Sequence, residues 1–207
     1  MSQATAPIES ARPMPGMGIY NLKLGMWVFL LSEVMFFTGL IGAYIILRFA
    51  TPEAFTQPGH VLNVPLTAFN TFVLICSSVT MVKAFAGIER GDQRDLRLWL
   101  LATTFLGAFF LSIQGIEYYK LVQEGFVPQV ANYAAEGGPL YGMTFYTLTG
   151  FHGAHVTVGV LALIFTVIRA FRGRYTVADH GGVEIMGLYW HFVDLLWIIL
   201  FTIVYVI

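Results

Sequence analysis

The chain has 207 residues, 57% of them hydrophobic and 11% charged, with a formal net charge of −1. A soluble domain carries about a quarter charged residues, so the composition excludes an ordinary water-soluble globule and fits a membrane protein. The near-neutral charge gives nucleic acid nothing to hold, and the single cysteine, Cys76, excludes a disulfide framework and a CxxC redox pair.

The opening stretch, "MSQATAPIESARPMPGMG", lacks the apolar core of a cleaved signal peptide, and none is predicted. Residues 1–23 read as a polar N-terminal tail, and residues 24–207, with no internal repeat, as one domain. Five apolar stretches follow, at about 24–48, 65–87, 97–119, 143–169 and 187–207, each close to the roughly 20 residues of a spanning helix. None alternates like a barrel strand, and backbone groups in lipid must be satisfied within each segment. The expected fold is all-α, a polytopic membrane protein of five transmembrane helices. Pro65 suits the start of the second span, where its missing N–H does no harm.

Loop charges predict the orientation. Arg12, Lys23, Lys83, Arg90, Arg94, Arg97, Arg169, Arg172 and Arg174 fall on one side, and only Arg48 and Lys120 on the other. The positive-inside rule then puts the N-terminus in the cytoplasm and the C-terminus outside, with the 120–142 loop facing out.

Ionisable side chains within spans are costly, so each is a candidate for function. Glu33, in "LLSEVMFF", lies roughly 14 Å into the first span, near the bilayer midplane. Two readings stand for it: a neutral carboxyl bonded to a neighbouring helix, or a site meeting lipid, another subunit or a mobile proton. His152 and His155, three apart on the fourth span, lie at a depth similar to Gln114 and Glu117 on the third. A bond from Glu117 to one of these histidines would satisfy both. His191 and Asp194 form a second such pair on the fifth span. Structural ties between histidine and carboxylate are the favoured role for all five. Gly150, Gly153 and Gly159, with Ala154, make a small-residue face suited to close helix approach.

Metal is not expected. A membrane di-iron site draws on Glu-x-x-His pairs, which are absent, and a bis-histidine haem needs facing histidines at one depth. His191 enters from the opposite side to His152 and His155. An independent proton-coupled transporter would show repeats and interrupted helices, and neither is visible.

The stretches "GMWVFLLSEVMFFTG", "EYY" at 117–119, "YGMTFYTLTGFHGAHVTVG" and "YWHFVDLLWIILFTIVY" together resemble subunit III of the haem–copper respiratory oxidases, the cytochrome c oxidase subunit 3 family. The resemblance runs from about Leu24 to the end and is to the short five-helix form, without the first two helices of longer members. It implies an accessory subunit with no catalytic residue, metal or cofactor of its own. Haem and copper lie in partner subunits, and the assembled enzyme reduces dioxygen while translocating protons. The direct partner is oxidase subunit I; subunit II and the other oxidase subunits complete the complex, which a larger respiratory supercomplex can include. The implied location is the bacterial plasma (inner) membrane.

By the same resemblance, Glu33 corresponds to a buried glutamate in a lipid-filled cleft, known to react with hydrophobic carbodiimides. Arg169 corresponds to an arginine that binds the phosphate of a structural phospholipid, and Lys23 to a basic position at headgroup level. Glu117, His152, His155, His191 and Asp194 correspond to structural positions. The short form also occurs in quinol oxidases and in relatives associated with nitric oxide reductases. The motifs around Glu33 and at 117–119 stand closer to the cytochrome c branch.

Overall fold

The computed structural model describes residues 17–52, 55, 62–126 and 138–206. Most of the N-terminal tail, including Arg12, lies outside the described residues, as do residues 127–137 of the 120–142 loop. Five long helices follow one another: α1 (Met17–Ala50), α2 (Val64–Glu89), α3 (Gln93–Gln123), α4 (Gly138–Phe171) and α5 (Gly181–Phe201). A π-helical turn, Thr202–Val206, continues α5. All five are long and apolar enough to cross a membrane, and no strand occurs among the described residues.

The helices overrun the expected spans at most ends. At 34 residues, α1 and α4 each run about 50 Å, longer than the roughly 30 Å hydrocarbon core. Their polar ends therefore reach headgroup level. Lys23 near the start of α1, Arg169 near the end of α4 and Glu184 near the start of α5 consequently share one side of the molecule.

Local chemistry sets the boundaries. The Asn63 side chain caps α2 by accepting from Leu66 N at 3.2 Å, with Pro65 in the first turn. The tight reversal into α3 turns on Gly91, whose φ of +79° is readily adopted only by glycine. Asp92 then caps α3, accepting from Arg94 N and Asp95 N at 2.9 and 3.1 Å. Those two amides hold the exposed Asp92 carboxyl below its ordinary range.

Helices α2, α3, α4 and α5 close a ring in which each packs on the next and α5 returns to α2. Helix α1 lies outside this ring against α5 and α4, and only 17% of its most apolar stretch is buried. Within the ring the largest buried side chains are aromatic, Trp190 and Trp197 foremost. Both indoles are satisfied across helices: Trp190 donates to Ser77 Oγ and Trp197 to Thr71 Oγ1, each at 2.9 Å. Lipid is as apolar as leucine, so close packing and such interhelical hydrogen bonds hold the ring together.

Candidate functional site

Because α1 stands apart from the ring, a cavity of about 380 Å³ opens between it, α4 and α5. Its walls are apolar, formed by Met26 and Phe29 of α1, Phe165 of α4 and Met186 of α5. One cation enters it. The Arg169 guanidinium lies 5.2 Å from the Tyr175 ring centre and 5.8 Å from that of Phe165. Cation–π attraction from the two rings holds the group in place. Burial pushes the Tyr175 hydroxyl above the usual phenol range, so this ring stays neutral beneath Arg169. The cavity thus joins a contiguous apolar wall to one cation, Arg169, at its end.

Lys23 stands on the same side but is engaged. Its ammonium forms an ion pair with Glu184 across the α1–α5 contact. The two residues flank the cavity, Lys23 about one turn before its lining residue Met26 and Glu184 next to its lining residue Ile185. Lys23 thus pins α1 to the ring as half of an ion pair.

At the other end, Phe29 stacks on Tyr189 with ring centres 6.3 Å apart. One turn beyond Phe29 on the same face of α1 comes Glu33, whose Oε2 lies 3.1 Å from His155 Nε2 on α4. The Tyr189 hydroxyl donates to the His155 carbonyl at 2.9 Å, joining α5 to this point. His155 Nδ1 lies 2.7 Å from the Phe151 carbonyl oxygen, which can only accept. Nδ1 therefore carries hydrogen, and the Nε2–Oε2 contact must hold one further proton to be attractive. Either the carboxyl donates to a neutral ring, or an imidazolium donates to a carboxylate. Glu33 and His155 act as one proton-sharing unit.

This corrects the expected pairing. Glu117 does not bond a histidine: it accepts from Thr67 Oγ1 on α2 at 2.9 Å. The reason is the short α2–α3 reversal, which lays these two helices side by side along their length. His152 and His155 also diverge. Three residues turn a helix through roughly 300°, so His152 faces into the ring while His155 faces α1. His152 stacks on Trp197 at 4.8 Å and meets the edge of Phe110 at 6.2 Å. His191 and Asp194 are not joined directly either. Ser78 of α2 lies between them, its Oγ 2.9 Å from His191 Nδ1 and beside the Asp194 carboxylate.

The small-residue face divides as well. A Cβ on Gly159 would come within 2.9 Å of the Trp190 ring, whereas Gly150 and Gly153 have nothing within 4 Å. Gly159 thus seats an indole inside the chain, and the other two face outward. Among the described residues, no three His, Cys, Asp or Glu side chains gather within metal-ligand reach. Sequence reasoning missed Tyr175, Glu184 and Tyr189: Glu184 and Tyr189 find partners far away in the chain, and Tyr175 folds back on Arg169 from the loop after α4.

Residues 17–207 match the family model described as cytochrome c oxidase subunit III. The chain belongs to the cytochrome c oxidase subunit III family. Among its relatives, a probable cytochrome c oxidase subunit 3 of Mycobacterium leprae is 40% identical over 185 residues, covering 89% of this chain and 87% of that one. A probable cytochrome c oxidase subunit 3 of Nocardia farcinica is 38% identical over 184 residues, with the same coverage. The cytochrome c oxidase subunit 3 of Thermostichus vulcanus is 36% identical over 207 residues, covering 99% and 95%.

A subunit III belongs to a multi-subunit oxidase of the respiratory chain, and the five spanning helices make this one a multi-pass membrane protein. Both the Arg169 cavity and the Glu33–His155 unit lie within the residues matched to subunit III.

Proposed function

We propose that this subunit III is the accessory, cofactor-free subunit of a terminal oxidase, most nearly a cytochrome c oxidase, that braces catalytic subunit I and seats a structural phospholipid. Family membership supports the assembly. The single observation that carries the lipid reading is Arg169, held by two rings at the headgroup-level end of an apolar cavity. The phosphate meets Arg169 in a charge-assisted contact, Lys23 adds a weaker positive position beside Glu184, and the acyl chains run along Phe29 and Phe165 toward Glu33. By the positive-inside rule the headgroup is cytoplasmic, the N-terminus lies inside and the C-terminus outside, in a bacterial inner membrane. Subunits I and II carry the haem and copper.

The experiment is purification through a tag on this chain, followed by native mass spectrometry and optical spectra. Subunits I and II, haem and a bound phospholipid should co-purify, and the chain isolated alone should show no haem absorption. Arg169→Ala should lose the lipid while keeping the partners. Stoichiometric haem on the isolated chain would overturn the accessory role, and an unchanged lipid count in Arg169→Ala would overturn the lipid site.

A further inference from the structure

The contact between α2 and α5 holds a polar trio that the lipid cavity does not use. Asp194 of α5 is 7% exposed, a costly position for a carboxyl within a spanning helix. The Ser78 hydroxyl of α2 bonds this carboxyl on one side and lies 2.9 Å from His191 Nδ1 on the other. Asp194 Oδ1 has no partner among the described residues. Ser78 is therefore the contact through which the carboxyl can exchange a proton.

His191 also meets a second environment. Its ring forms part of the wall of a crevice of about 170 Å³ between α2 and α5, together with Met81, Phe85, Gly187 and Glu184. Glu184, Gly187, Leu188 and His191 follow at i, i+3, i+4 and i+7, so they make one stripe along α5. Seven residues of helix span roughly 10 Å. The crevice thus runs from Glu184, on the same side of the molecule as Lys23 and Arg169, down to His191. With Nδ1 turned to Ser78, Nε2 is the ring nitrogen left to meet it. A water molecule needs only about 10–15 Å³ of such volume, so the crevice can carry solvent to the ring.

Hydrogen bookkeeping couples the three side chains. Ser78 Oγ carries one hydrogen. An ionised Asp194 only accepts, so Ser78 then donates to it, His191 Nδ1 donates to Ser78, and Nε2 is bare. A protonated Asp194 reverses both bonds. The carboxyl donates to Ser78 Oγ, Ser78 donates to Nδ1, and Nε2 carries the ring hydrogen. Both states use the same heavy-atom positions.

We infer that His191, Ser78 and Asp194 form a proton relay, which draws one proton from the crevice and holds it on Asp194. The proton bonds to Nε2 from solvent. The N–H bond at Nδ1 breaks as its hydrogen forms an O–H bond on Ser78, whose former hydrogen passes to Asp194. One proton enters, the carboxylate becomes neutral, and the imidazole ends as its other neutral tautomer. Charges on the helices packed around α5 are engaged elsewhere. Lys23 of α1 pairs with Glu184, and His155 of α4 with Glu33. Arg169 of α4 meets the rings of Phe165 and Tyr175, and Lys83 of α2 lies 4.3 Å from the Trp99 ring centre. The relay is independent of the lipid reading.

The test is infrared spectroscopy of the intact oxidase containing the full chain. The expected result is a protonated-carboxyl band that Asp194→Asn removes and that exchanges promptly in deuterated water. Ser78→Ala should slow this exchange about a hundredfold, the order contributed by a positioned proton-transfer group, and Ser78→Thr should restore it. His191→Phe should slow it likewise. A static structural tie would leave the exchange unchanged in Ser78→Ala, and that result would overturn the relay. So would the absence of an Asp194 carboxyl band across the pH range in which the complex is intact. Should Asp194→Asn fail to assemble, the two Ser78 variants identify the band themselves. It slows in the first and recovers in the second, and a spectrum with no band behaving so would equally sink the inference.

Discussion

His155 Nε2 lies 3.1 Å from Glu33 Oε2, and this contact spans 122 positions of sequence to join α1 to α4. Its chemistry requires a single shared proton, because Nδ1 of the same ring is already committed to a carbonyl. Glu33→Gln keeps a donor facing Nε2 and needs no such proton. That variant should therefore assemble, retain lipid and turn over nearly as the unaltered oxidase does. Glu33→Leu leaves the ring nitrogen unpaired at a mostly buried site, at a cost of about 1–3 kcal/mol. Thermal unfolding of the two complexes should separate them, and a Gln variant as unstable as the Leu variant would show that the shared-proton account is wrong.

Arg169 predicts a graded response. Removing its charge-assisted contact in Arg169→Ala should weaken lipid retention by about 1.5–3 kcal/mol. Arg169→Lys should not restore it fully, since an ammonium lacks the forked donors with which a guanidinium held near Tyr175 and Phe165 meets an anion. Lipid counted by native mass spectrometry should rank Arg above Lys above Ala. Equal retention by Lys and Arg would mean that charge alone, not ring-held geometry, binds the headgroup.

Trp190 predicts which glycines are indispensable within the chain. A Cβ on Gly107 would meet Trp190 Cη2 at 2.5 Å, and one on Gly159 would meet Cζ3 at 2.9 Å. The indole is fixed by its bond to Ser77 and cannot swing away cheaply. Gly107→Ala should therefore cost about 1–3 kcal/mol by overpacking, and Gly159→Ala somewhat less. Gly115→Ala, with open space around it, is the control and should leave the Tm of the isolated chain unchanged.

Acid should loosen the start of α3. The Asp92 carboxyl is held below its ordinary range by the Arg94 and Asp95 amides. Its capping contribution is thus fully present above the unfolded-state value, about 4, and is lost as pH falls through the lower folded value. Asp92→Asn keeps a capping oxygen without titrating. It should match the unaltered protein at neutral pH and show a shallower loss of Tm in acid. Parallel acid profiles for the two proteins would remove Asp92 from the account.

The amino-acid sequence by itself determined the number of spanning helices, their approximate places and the family. Span length and apolar runs are one-dimensional properties, and the quoted motifs are contiguous. It also singled out the ionisable residues within the spans, because each is rare in an apolar run. It could not determine which of them meet. His152 and His155 are indistinguishable by depth, yet one faces Trp197 and the other Glu33. That difference is a matter of helix rotation and of which helix packs alongside. Likewise Gly159 and Gly150 read as one small-residue face until Trp190 of another helix fills the space above the first. The ion pair of Lys23 with Glu184 and the bond from Tyr189 to the His155 carbonyl were decided only by tertiary packing. Each depends on the crossing of helices that the chain brings together from distant segments.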